Sequence, residues 1–224
     1  MHNLCAGRSW LRKALFPLLL IIAANPQLAA EQGAWRYSES FGQNTAWIEY
    51  SVVRTPQRVV VRSAADRVKE ELEFVPGKGT LWWTKIGSHP GTNLRAQRTG
   101  DTIRITGTLK SAKVDKLLHI DSAPWYQILG PCIGDLLPQK MQSIEFWALD
   151  PDELAVHKML AIRQAGERKE VHHVLIDTFK VHFAPMGIAG AFWGADFWFR
   201  ISDSAYILSK MPDNGGLTET AIDW

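Results

Sequence analysis

A hydrophobic alternation of period two runs through most of this chain and excludes the majority of folds at once. It is cleanest in Thr102–Leu109, where Ile103 and Ile105 face one way and Thr102, Arg104 and Thr106 the other. With residues 94–98 before it and Thr99, Gly100 and Asp101 between, the pattern predicts a β-hairpin. Residues 46–54 repeat it, with Ile48, Tyr50 and Val52 opposing Glu49 and Ser51. Further strands are expected at 58–62, 69–75, 80–85, 114–121, 142–149, 154–162, 174–183, 192–201 and 206–209, with a terminal run at 218–224. Turn residues fall roughly every eight to fifteen positions, the rhythm of an antiparallel β-protein. Ten or more strands in one domain imply a barrel or a strongly curled sheet, because a flat sheet of that width leaves long edges open to other chains. Two stretches admit a helix instead: 63–74, with Ser63 and Asp66 in capping-box spacing, and the chain after residues 150–153.

One segment breaks the β rhythm. Ser122, Ala123 and Pro124 resemble a helix cap with proline in the first turn, and Trp125, Ile128, Leu129, Cys132 and Leu136 follow at helical spacing. Asp135 is the only charge from 123 to 138, and Gly130-Pro131 is expected to break the helix into two short turns. A helix with almost no polar face must be buried, and a curled sheet offers its concave face. The fold class expected is therefore mainly β: a curled antiparallel sheet or half-barrel with a short apolar helical segment packed on its concave face. Cys132 sits among apolar neighbours and reads as a small buried hydrophobe.

Compartment follows from the first thirty residues. Arg8, Arg12 and Lys13 precede an uncharged run at 14–24, and small residues follow at 28–30, the pattern of a secretory signal peptide cut after Ala30. The run is too short to span a bilayer. The expected organisation is a removed leader, 1–30, and one β-rich domain, 31–224, in the periplasm. Three of the 25 basic residues and none of the 23 acidic ones lie in the leader, leaving 22 against 23. A domain so nearly neutral has no electrostatic footprint for nucleic acid. Cys5 leaves with the leader, so Cys132 has no intrachain disulfide partner.

The aromatic run at 192–201 sets Trp193, Ala195, Phe197 and Phe199 on one strand face, with Asp196, Trp198 and Arg200 on the other. The apolar face is either plain core or the wall of a pocket for an apolar ligand. Together with Pro124-Trp125-Tyr126-Gln127, Glu145-Phe146-Trp147 and Ser202-Asp203, this run resembles a group of uncharacterised exported bacterial proteins. More distantly the pattern is similar to LolA-like periplasmic lipoprotein carriers. That resemblance implies an acyl chain or other apolar cargo held between sheet and plug, lined by Trp125, Tyr126, Ile128, Leu129, Trp193, Phe197 and Phe199. It implies no catalytic residues.

Catalytic signatures such as Gly-x-Ser-x-Gly, a phosphate loop, a dinucleotide fingerprint or His-Glu-x-x-His do not occur. No enzyme activity, cofactor or metal is expected. His172, His173, Asp177 and His182 are the one cluster with ligand chemistry, and strand neighbours face apart unless they lie in a turn. His119 and Asp121 share a face and read as a solvated strand end. Two rival readings remain open. Thr218, Thr220, Ile222 and Trp224 alternate up to an aromatic C-terminal residue, as in outer-membrane barrels; alternatively the chain is an envelope structural or assembly factor, with a protein partner and no ligand.

Overall fold

Fourteen antiparallel strands join into one sheet in a computed structural model of the chain, which describes residues 31–87, 89–133, 142–213 and 216–224. Residues 1–30, with Cys5, and the stretch holding Asp135 and Leu136 lie outside the described residues. The strands of the first half are β1 (Glu31–Phe41), β2 (Asn44–Arg54), β3 (Val59–Ala65), β4 (Val68–Val75), β5 (Gly79–Ile86), β6 (Asn93–Thr99), β7 (Thr102–Leu109) and β8 (Ala112–His119). A short helix α1 (Leu129–Ile133) precedes β9 (Ser143–Asp150), β10 (Ala155–Val171), β11 (Val174–Pro185), β12 (Ala195–Arg200), β13 (Tyr206–Asp213) and β14 (Gly216–Asp223).

The order across the sheet is β8 to β1 and then β14 back to β9. The chain thus lays down one wing of successive hairpins, crosses, and returns along a second wing that closes against β1. The outer edges, β8 and β9, are adjacent in sequence and are not paired with each other. This is a curled, open sheet with one short helix, the class expected.

The alternation explains the curl. Val52, Val61, Leu72, Trp83, Ala96 and Ile105 sit opposite one another on β2 to β7 and form one buried row across the first wing. Each cross-strand pair of this kind stabilises by roughly 0.2–1 kcal/mol beyond its burial. The opposite face carries ion pairs between neighbouring strands, such as Arg62 with Glu71 at 2.7 Å and Arg104 with Asp115 at 2.9 Å. In this row apolar residues point inward, while charges such as Arg62 and Arg104 lie on the outer face; Glu70 and Lys85 form a largely buried pair on the inner side. Thr218, Thr220 and Ile222 follow the same rule and are buried.

Several local expectations change. The stretch 63–74 is the β3–β4 hairpin, turning at Asp66 with φ 45°. Residues 150–153 form a turn, in which the Asp150 carboxylate accepts the amides of Asp152 and Glu153. β1 has no counterpart among the expected strands, because its inward positions include Gly33 and Glu39 and so lack an apolar period. The terminal run begins earlier, at Gly216, and Trp224 lies beyond its end. The largest change is in the plug: residues 121–128 are irregular, with Trp125 bridged in parallel to Trp147 and Ile128 at φ 54°, and only Leu129–Ile133 is helical. Gly130-Pro131 lies inside that helix. Proline is tolerated there because first-turn amides have no intrahelical partner.

Candidate functional site

The plug divides the interior. Trp125 and Cys132 are fully buried in the core of the first wing, while Tyr126 and Ile133 are fully buried in the core of the second. Extended backbone produces the first split, since adjacent side chains point to opposite sides. Ile128 packs against the first core and Leu129 against the second. Cys132 is buried, as expected.

In the second core the rings touch in series. Tyr126 lies 5.9 Å from Phe146, Phe146 6.0 Å from Phe183, Phe183 4.8 Å from Phe197, and Phe197 5.7 Å from Tyr206. Phe199 joins at 6.0 Å from Tyr206 and stacks on Phe179 at 5.4 Å. These are packing distances for aromatic rings. Tyr126, Phe197 and Phe199 thus belong to one buried cluster, connected through Phe146 and Phe183, and line none of three surface pockets formed by the described residues. Trp193 does not join them: β12 starts at Ala195, and Trp193 is left in the preceding loop, part-exposed. Tyr126 Oη and Trp83 Nε1 are buried without a hydrogen-bond partner, one in each core.

The polar candidates resolve into structural pairs. His172 and His173 form the β10–β11 turn with φ 48° and 65°, the positive values that a two-residue hairpin turn requires. His173 lies 3.4 Å from Glu170, and Asp177 3.0 Å from Arg168. His182, farther along β11, places Nδ1 2.7 Å from Asp196. The histidines are thus spread over a turn and a strand. Asp150, Glu153 and His157 bring ligand atoms within 4.8 Å, but two of the three are exposed, and Oδ1 of Asp150 accepts the turn amides.

Asp121 has a larger part than a solvated strand end. Its carboxylate accepts from Trp147 Nε1 at 2.8 Å, Lys158 Nζ at 2.6 Å and the Ala123 amide at 2.9 Å. The Lys158 hydrogen bond, then those of Trp147 and Ala123, hold its pKa well below the usual carboxylate range. Pro124 and Tyr126 exchange backbone bonds with Trp147 at 2.7 and 2.8 Å, and the Trp125 carbonyl accepts from Thr80 at 2.6 Å. The connection between the edge strands is thereby stitched to β9 and to β5.

Apolar surface collects at one rim instead. Val174 and Leu175 at the start of β11, Ile201 after β12 and the C-terminal Trp224 are exposed and line a groove of about 590 Å³. That is the size of a small-molecule site. Its charged neighbours are already matched: Arg200 forms a two-pronged bond with Asp203 at 2.9 and 2.7 Å and lies under the Trp224 ring at 5.4 Å, while Asp177 holds Arg168. Three consecutive apolar residues, Val174-Leu175-Ile176, were the sequence signal for this surface, since a strand cannot bury them all on one face. A depression of about 670 Å³ on the outer face of β1 to β5 has a floor of Ala34, Ser51 and Ala64 and charged walls, of which Arg62 and Glu71 pair with each other.

Fold and interior together define a β-barrel-like protein: a curled open sheet filled by its own side chains. No family model and no curated protein matches the sequence. Among solved structures, the fold is similar to that of a β-barrel-like protein of the domain of unknown function DUF1849 from Brucella abortus, with a TM-score of 0.56 and 7% identity over 88% of this chain and 97% of that one. At that identity the likeness shows the fold alone. It agrees with the resemblance to β-rich proteins of unknown function and does not reach the LolA-like carriers.

Proposed function

We propose that the mature chain is an exported, non-catalytic binding protein of the cell envelope that holds an apolar chain, the acyl tail of a lipid, in the groove between the β10–β11 turn and Trp224. The observation that carries this reading is the contrast between a packed aromatic interior and a rim groove where Leu175 is 64% and Trp224 57% exposed. Side chains of this size are normally buried, and their convergence in a concave site marks a ligand surface. Arg200 and Asp177, the charged side chains lining the groove, are paired within the protein, so among the described residues the lining presents no unpaired charged side chain. The leader-like first thirty residues support the compartment.

The test is titration of the mature protein with a dansyl-labelled fatty acid, beside native mass spectrometry and lipid analysis of protein recovered without detergent. Leu175→Asp is expected to weaken probe binding by about tenfold or more, since it places a carboxylate in the apolar lining. His173→Ala, at the nearby exposed turn, should leave binding intact. Equal binding by Leu175→Asp and the native protein would sink the assignment, as would the absence of saturable binding.

A further inference from the structure

The loop between β11 and β12 lies at the opposite end of those strands from the groove. Residues 184–195 contain no ionisable side chain, and the Trp193 indole is their only side-chain hydrogen-bond donor. At its tip Ile188 is 84% and Phe192 85% exposed, with Met186 and Trp193 partly so beside them. No other large apolar side chains among the described residues are as open.

The tip has a held shape. Ile188–Ala191 forms a short 3-10 turn, the Gly190 amide donates to the Gly187 carbonyl at 3.2 Å, and the Met186 amide donates to Lys158 O at 2.8 Å. Gly190 lies so close to Pro185 that a Cβ there would sit 2.2 Å from the Pro185 carbonyl oxygen. Substitution would push the turn apart.

We propose that this loop inserts into the interfacial layer of a lipid bilayer and docks the protein on a membrane surface. Two physical arguments favour lipid over a protein partner. Protein interfaces carry about one hydrogen bond per 100–200 Å² and a polar rim, whereas the side chains of this loop offer a single donor, the Trp193 indole N–H. A turn entering hydrocarbon must satisfy backbone groups internally, as the Gly190 amide does, and tryptophan favours the headgroup boundary.

The base of the loop also fixes the lipid dependence. Lys158 is paired with Asp121 at 2.6 Å and Glu145 at 3.2 Å, and Lys180 and His182 both face Asp196, at 3.4 and 2.7 Å. Among the described residues at the loop base, Lys158 and Lys180 thus each face a carboxylate of the protein. Docking therefore depends on apolar insertion, with little response to salt or to lipid charge.

Flotation of the mature protein with phosphatidylethanolamine vesicles, with and without phosphatidylglycerol, tests the proposal. The native protein is expected to float with both compositions, at about 0.05 M and about 0.5 M salt alike. The double variant Ile188→Asp, Phe192→Asp should lose at least about tenfold in partitioning. Its circular dichroism and Tm should be unchanged, because both side chains are exposed. The groove variant Leu175→Asp should float like the native protein, so this inference stands or falls apart from the acyl-binding reading. Failure of the native protein to float, flotation of the double variant at native levels, or flotation abolished by salt would each overturn it. So would a dimer lost in the double variant with no vesicle binding by either protein.

Discussion

Tyr126 is the residue at which an interior filled by side chains and an interior open to a ligand make different demands. Its ring was legible in the sequence as part of an apolar plug, but its hydroxyl is fully buried with no hydrogen-bond partner. A buried hydroxyl left unpaired costs about 1–3 kcal/mol. Burial pushes the phenol's pKa up, so it remains a neutral donor. Tyr126→Phe removes the unpaired group and keeps the ring contact with Phe146. In urea denaturation this variant should be as stable as the native protein or more stable by up to about 1 kcal/mol. A loss larger than that would mean that an internal water or ligand accepts from the hydroxyl, and the interior would return as a binding site. Phe197 and Phe199 were legible as one strand face, yet the sequence pattern could not distinguish a lined cavity from rings that touch. Trp193 was misplaced because alternation carries no information about where a strand begins.

Among elements, hairpins were the readable part. β6 and β7 meet at Thr99 and Thr102 as their flanking alternation and Gly100 imply, with Gly100 at φ 57°. The connection from β8 to β9 was not readable, because its conformation is decided by partners distant in sequence. Helical spacing from Trp125 to Cys132 was real burial produced by a different backbone, in which Trp125 and Tyr126 serve opposite cores. The Asp121 cluster helps hold that backbone, beside the Thr80 and Gln127 bonds to β5 and β9. The carboxylate's pKa is lower in the folded than in the unfolded chain. It therefore stabilises the fold above the unfolded carboxylate value and loses that contribution as pH falls through the folded value. Asp121→Asn should speed hydrogen exchange at the Tyr126 and Trp147 amides at neutral pH while leaving β6–β7 amides unchanged. The difference between variant and native protein should vanish only in strong acid, where Asp121 is itself protonated. Unaltered exchange at both amides would show that the backbone bridge holds without the carboxylate.

At the scale of the whole molecule, two wings of hairpins are joined through one strand. β1 pairs with β2 on one side and β14 on the other, and Tyr37 on β1 helps tie the wings, beside Trp35 and Tyr50, which pack against both cores. Its ring stacks on Tyr206 of β13 at 4.9 Å, meets Tyr50 of β2 edge-on at 5.3 Å, and its hydroxyl donates to the Tyr206 carbonyl at 2.9 Å. Burial raises the phenol's pKa, which keeps the donor protonated. Tyr37→Phe keeps both ring contacts and removes the one bond, at an expected cost of about 1 kcal/mol; Tyr37→Ala also opens a cavity and should cost about 3–5 kcal/mol. The distribution of that loss is the informative quantity. If the sheet is one cooperative unit, native-state hydrogen exchange should show the same reduction at the Leu72 amide in the first wing as at the Val181 amide in the second, about fivefold for the Phe variant. If the wings open separately, only the amides of one wing will change. β1 would then be a clasp between two units, held on the far side by the stitched connection at Asp121.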